Sequence, residues 1–326
     1  MANTTTANVT YAVNNYYDRL LLERAVASFV QNRFADVRDV PQGNTNIIKF
    51  RRYTNLTAAT TPLVEGVTPA GSQLAITDLT STVQQYGDYV TLTDFLEMTT
   101  QDPVLNETAV LQGDQIGDTL DQLTRDILVA GTNVFYASTA TARNQITSSM
   151  KFTITEAKNV VRVLKGNNAR RITQMIDPST GIASNPIMPS YIAFVHPDTT
   201  RDLKDDSKFV DIAHYARPEY FPDEVGSMDE IRCIESTNCK IFSAAGAANG
   251  QGGNYNVYAT MVLGQHSYAI TRISGEALHM IIKPFGSAGS ADPLDQRQTA
   301  GWKLTHVATR LNESWMVRLE HGTSSS

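Results

Sequence analysis

The chain has 326 residues, 41% of them hydrophobic and 18% charged, with a formal net charge of −6. That length suits two compact domains or one elaborate one. The missing charge is replaced by small and hydroxyl residues, as in a soluble, β-rich protein with much polar contact surface. An acidic balance excludes tight, sequence-independent nucleic-acid binding, which needs clustered Lys and Arg. No apolar run approaches the roughly 18 residues of a membrane span, and Met1–Thr6 lacks the charged and apolar regions of a signal peptide. The two cysteines, Cys233 and Cys239, read as reduced thiols in or near strands.

Residues 1–12 are polar and read as an extended tail. From Asn15 to Asp36 the apolar residues Tyr16, Leu20, Val26, Phe29, Val30 and Phe34 recur at three- and four-residue steps. They predict one helix, either an arm outside the main body or a plain first helix of a domain. Pro41-Gln42-Gly43 breaks the pattern.

The stretch 44–94 reads as a long hairpin. It starts with a basic strand, Ile47–Tyr53, and passes through a Thr/Ala/Gly tract over 54–72. It returns through a second strand over Ser81–Leu92. A two-stranded ribbon with no core of its own is marginal in water, and a tract this long is functional or disordered. The ribbon is therefore expected to lie on something else, with Pro62, Glu65, Gly66, Pro69 and Gly71 marking its tip.

Asp102 to Ala130 is the longest helical signal, with Asp102 at the cap, Pro103 in the first turn and Gly131 as the stop. Such a helix spans about 40 Å. Leu105, Ala109, Ile116, Leu120, Leu123 and Ile127 form its apolar stripe, and Asp114, Asp118 and Asp121 an acidic edge, solvated or facing a partner.

Thr153–Glu156 is a capping box opening a helix that ends at Gly166. Arg170–Thr173 starts an edge strand, and Ile182–Pro189 reads as a loop. Tyr191–Val195 is a buried strand running through His196-Pro197-Asp198 into a helix, which marks an α+β domain. Glu230–Glu235 alternates like a half-buried strand, and 243–254 is an exposed loop. Further strands are expected at 255–263, 267–273 and 278–283. A closing pair, 299–311 and 314–319, turns at Asn312-Glu313 before a polar tail from His321.

Catalytic patterns are missing. The six histidines are scattered, and none sits in a zinc-binding spacing. Gly246–Gly253 lacks the lysine and Ser/Thr of a phosphate loop. Asp202, Asp205 and Asp206 read as a charged helix end. The sequence thus points to no catalytic residue, cofactor or metal, and a triad of dispersed Ser, His and Asp is the enzymatic alternative. The basic cluster Lys49, Arg51 and Arg52 has three readings: a solvated strand edge, a contact with carboxylates of another subunit, or a nucleic-acid contact. The second is preferred, because the ribbon needs a partner surface and Asp114, Asp118 and Asp121 offer one.

The order of parts resembles the major capsid proteins of tailed double-stranded DNA bacteriophages. Three stretches carry the likeness: Pro62–Pro69 in the ribbon, Phe194–Asp198 entering a helix, and Asp292–Lys303 before the closing strand. The last two look like a podophage subfamily. The resemblance implies an α+β fold with an N-terminal arm (1–43), an extended loop (44–94) and a peripheral domain (95–152) built on a spine helix (102–130). An axial domain (153–290) and closing peripheral strands with a tail (291–326) would follow. It also implies pentamers and hexamers tiling an icosahedral virion shell, assembled in the host bacterial cytoplasm around DNA held by weak, non-specific contact. Partners would be a separate scaffolding protein, a portal protein and, in some members, a decoration protein, with no membrane. A nanocompartment shell of encapsulin type shares the fold and is the alternative role.

Overall fold

The computed structural model describes residues 30–324, apart from 42, 44, 55, 101–103, 177–183, 216–219, 251 and 274–277. In chain order come β1 (Asp36–Val40), β2 (Ile47–Tyr53), β3 (Ile76–Thr82), β4 (Gln84–Thr93), α1 (Asp94–Thr99), α2 (Val104–Val129) and β5 (Val134–Tyr136). Next are α3 (Ile154–Gly166), β6 (Ile172–Ile176), β7 (Ser184–Val195), α4 (Pro197–Lys204), β8 (Val210–Asp211), β9 (Glu224–Met228) and β10 (Ile231–Glu235). The chain closes with β11 (Ile241–Phe242), β12 (Val257–Leu263), β13 (Tyr268–Ile273), β14 (Leu278–Lys283), β15 (Arg297–Arg310) and β16 (Met316–His321). Most of the expected N-terminal helix, and the Asp102-Pro103 cap, lie outside the described residues. The described end of that helix, residues 30–35, forms turns leading into β1.

A nine-stranded sheet, ordered β5-β16-β12-β7-β10-β9-β8 with β11 on β12 and β6 on β7, forms one half of the molecule. Its central strand shows why. Alternation along β7 sends Tyr191, Ala193 and Val195 to the face covered by Ala157, Val160, Val161 and Leu164 of α3. Ile192 and Phe194 go to the opposite face, against Leu128 and Val129 of α2 and Phe221. Being covered on both faces also explains β10. It is parallel to β7, and Ile231–Ile234 are all buried rather than alternating. At the start of α3 the Thr153 hydroxyl donates to the Glu156 carboxylate. The open amide of Ile154 is taken by Asp206 at 3.3 Å.

The second sheet is built on β15. It pairs with β13 and β14 in the order β1-β13-β15-β14, and β4 runs antiparallel along it from Thr93↔Arg297 to Gln84↔His306. Helix α2 packs here through Ala109 and Ile116 against Met280, Ala300, Trp302 and Leu304. Gln112 Nε2 donates to the Ala300 carbonyl at 2.8 Å, and Trp302 Nε1 to Gln115 Oε1 at 3.0 Å. Two glycines permit the β4–β15 seam. A Cβ on Gly87 would lie 2.5 Å from the Trp302 carbonyl oxygen, and one on Gly301 2.8 Å from Cβ of Tyr89.

Four expectations need correction. The ribbon's return strand is β3, which pairs with β2 from Ile76↔Tyr53 to Thr82↔Ile47, whereas 84–93 leaves the ribbon for the β15 ladder. The chain switches sheets at the buried Val83, whose N–H donates to the Asn46 carbonyl at 2.7 Å. The closing strands are not a hairpin, because β15 and β16 belong to different sheets. The corner between them is set by the amides of Leu311 and Asn312, which both donate to the Ser267 carbonyl. Residues 184–189 are strand rather than loop, because a two-stranded extension with β6 has room for prolines that a central strand would not. Finally, His321–Thr323 is buried rather than a tail. Its polar groups are satisfied inside, with His321 Nε2 2.9 Å from the Thr260 hydroxyl and the Ser324 amide donating to Asp202 at 2.8 Å.

Candidate assembly surface

The β2–β3 ribbon is a sheet of its own. Every described residue from 54 to 75 is exposed and without regular structure. Pro62, Glu65, Gly66, Pro69 and Gly71 all lie in this tip. A turn closes there with the Val67 amide donating to the Val64 carbonyl at 3.2 Å, and Gly66 takes the left-handed φ of +79° that the turn demands. Around it Leu63, Val64 and Val67 are 78%, 68% and 63% exposed. A contiguous run of bare aliphatic side chains on an unsupported loop marks an interaction site.

At the ribbon's stem the three cations differ. Arg51 is committed across the ribbon to Asp78, its register partner, with Nε 3.2 Å from Oδ1. Arg52 Nη1 donates to Asn312 Oδ1 at 3.2 Å and so ties the ribbon to the corner before β16. Thr309 adds a second tie, its hydroxyl donating to Ser81 at 2.6 Å. Lys49 is exposed and makes no ion pair among the described residues. An exposed pair such as Arg51–Asp78 is worth about 0–1 kcal/mol, enough to set register and little more.

The acidic edge of α2 is divided. Asp118 is exposed and accepts from Asn238 Nδ2 at 3.1 Å, while Asp114 is half-buried. Asp121 is fully buried and belongs to no surface. Its Oδ1 accepts the amides of Val30 and Gln31 at 3.1 and 2.8 Å. Helical spacing alone put Asp121 with the other two; the covering segment at 30–35 is distant in sequence and gave no signal. The open face of α2 is a shallow groove lined by Gln115, Asp118, Thr119, Gln122, Leu123 and Asp126. Within the chain, the contacts of Arg51, Arg52, Asp118 and Asp121 do not bring the basic and acidic sets together.

Sequence reasoning missed a second bare apolar area. Helix α1 buries none of its residues, and its Phe95 and Met98 are 73% and 78% exposed. Its signal was present in Phe95-Leu96-Glu97-Met98, large apolar residues with no stripe to pack them. The cysteines carry no reactive character. Both are free and buried, and burial pushes the Cys233 thiol up to about 12.

Among the described residues no helix is long and apolar enough to cross a membrane. The sequence matches no curated protein. Solved structures share the fold. The capsid of cyanophage P-SCSP1u superposes with a TM-score of 0.65 at 13% identity, covering 91% of this chain and 89% of that one. The capsid of Ralstonia phage GP4 gives 0.66 at 10%, covering 90% and 88%. The cyanophage Pam1 capsid gives 0.63 at 15%, covering 91% and 93%. Residues 76–317 match the model of a family described as phage capsid protein, a span that runs from β3 through β15 to the start of β16 and so includes strands of both main sheets. The chain belongs to the phage capsid protein family, as a major capsid protein forming the head.

Proposed function

We propose that the β2–β3 ribbon of each subunit lies on a neighbouring copy and carries the contact that closes the shell. The observation behind this reading is the ribbon itself: two strands tied to the body only at their stem, and a bare aliphatic tip with no cover from the described residues of its own chain. The basic stem, led by Lys49 and Arg52, faces the acidic edge of α2 at Asp114 and Asp118 in the neighbour; Asp121, being buried, drops out. Arg51 holds the ribbon's own register through Asp78. Charge complementarity of this kind selects partner and register more than it adds affinity.

Subunits assemble as pentamers and hexamers in the host bacterial cytoplasm, without a catalytic step, around double-stranded DNA that the acidic chain holds weakly. A separate scaffolding protein, a portal protein and, where present, a decoration protein complete the particle. The experiment is charge reversal. Lys49→Glu with Arg52→Glu is expected to leave a folded subunit that assembles poorly, and Asp114→Lys with Asp118→Lys in the same chain to restore shells. Normal particles from the first double variant, seen by electron microscopy, would sink the contact.

A further inference from the structure

We propose that Asp121 is a releasable anchor for the root of the N-terminal segment, and that its hold slackens when its buried carboxyl gives up its proton. The root, residues 30–35, is the point where the preceding chain joins the body. It is held at several places. The Tyr268 phenol donates to the Gln31 carbonyl, and the Thr124 hydroxyl donates to Asn32 Oδ1 at 2.5 Å. Arg33 reaches Asp223 at 2.8 Å and the Pro222 carbonyl at 3.0 Å. The Phe34 ring meets Phe221 edge-on at 5.0 Å.

Asp121 adds a fully buried carboxyl to this set, and its geometry is lopsided. One oxygen accepts both amides of the root, while Oδ2 is buried with no hydrogen-bond partner among the described residues. An anion in that position keeps one oxygen dry, which is costly. The charged neighbours offer little relief. On α2, Arg125 is spent on Asp126 and the Asn238 carbonyl, and Asp118 adds like charge. On the root, Arg33 is committed to Asp223, and Asp36 to His266 at 2.8 Å. From the end of β10 comes Glu235, and from the turn after it the neutral thiol of Cys239 and the Asn238 amide. From β13 comes the Tyr268 phenol, and from β15 His306, 3.3 Å from the Thr124 hydroxyl.

Burial therefore pushes the Asp121 carboxyl up to about 6, against the two amide donations and the weaker pulls of Asn238 and Arg33. A detached root leaves the carboxyl in water, with an ordinary value of about 4. The anchored state thus binds the proton more tightly. Lowering the pH favours anchoring, and raising it from about 4 to about 6 favours release, after which the effect levels off. At neutral pH the anchor carries a buried, half-solvated charge and is at its loosest. This would let the root at 30–35 come away during assembly without unfolding either sheet.

The test is hydrogen–deuterium exchange of the peptide Val30–Asp36 in assembled shells, with the intrinsic pH dependence of exchange divided out. Protection is expected to fall about tenfold from pH 5 to pH 7 and then stay flat. Asp121→Asn, which keeps an acceptor for the two amides and cannot ionise, should flatten the profile. His266→Gln should leave the profile in place and so separates out the exposed Asp36 contact. A flat wild-type profile, or an unchanged slope in Asp121→Asn, overturns the proposal. If Asp121→Asn does not fold, infrared titration of carboxyl-labelled wild-type protein decides. A carboxyl titrating near 6 in step with loss of protection supports the anchor, and none above 5 overturns it.

Discussion

Truncating the ribbon's tip should abolish assembly while leaving the subunit intact. In the triple variant Leu63→Ala, Val64→Ala, Val67→Ala, about seven methyl or methylene groups are lost, each worth about 0.8 kcal/mol when buried. These side chains are 78%, 68% and 63% exposed in the subunit, so about 70% of that gain is still available to a neighbour. The loss is then about 4 kcal/mol per contact, or roughly three orders of magnitude in the subunit concentration needed for shells. Subunit stability should change by no more than about 1–2 kcal/mol, the share of the same surface that the subunit itself covers. Light scattering against subunit concentration, paired with a thermal melt of the unassembled subunit, measures both quantities. Shells forming at the wild-type concentration would refute the tip's role. A large drop in subunit Tm would refute the claim that the tip stands free of its own body.

Two further outcomes follow from the body. Gly87→Ala should destabilise the fold by about 1–3 kcal/mol, seen as a lower urea midpoint, because the new methyl meets the Trp302 carbonyl oxygen on a paired strand rather than a yielding side chain. His306 and His321 are both held neutral by burial, which lowers each to about 4, so each unfolded histidine binds protons that the folded one does not. Their stability is fully present above about 6.5 and is lost as pH falls from there to about 4, by about 2–3 kcal/mol each. Asp121 runs in the opposite sense over the lower part of that range. His306→Gln should reduce the slope of the urea midpoint between pH 6.5 and 4, and an unchanged slope would count against a buried neutral imidazole.

Local chemistry was readable where the determinants lie close together in sequence. The His196-Pro197-Asp198 entry to α4 and the apolar run of β7 carry their cause within a few residues, whereas the capping box read at Thr153–Glu156 marks where α3 starts but does not cap it: its first amide is taken by the distant Asp206. The site was partly legible for the same reason: a basic strand beside a tract of small residues announces an unsupported ribbon. What escaped depends on distant partners. Asp121 has the helical spacing of an exposed acid, and only the approach of Val30 and Gln31 buries it. The polar run His321-Gly322-Thr323 reads as a tail because nothing in it names Thr260 or Thr147 as neighbours. The return strand read at Ser81–Leu92 is nearly all β4, and only the pairing of β4 with β15 and of β3 with β2 shows where the ribbon ends.

That pairing has a mechanical side. Strands β3 and β4 follow one another with only Val83 between them, and β4 is fastened to β15 from Gln84↔His306 to Thr93↔Arg297. In an antiparallel ladder the hydrogen bonds lie across the strands. A pull transmitted along the strand from a neighbour's grip on the ribbon therefore loads these bonds together, in shear, instead of peeling them one at a time. Because β15 is also bonded to β13 and β14, the load spreads into the rest of its sheet and against α2. If the ribbon grips a neighbour as proposed, the strand that looks like a piece of the core becomes the tendon of the subunit, the member through which tension would pass from one copy to the next.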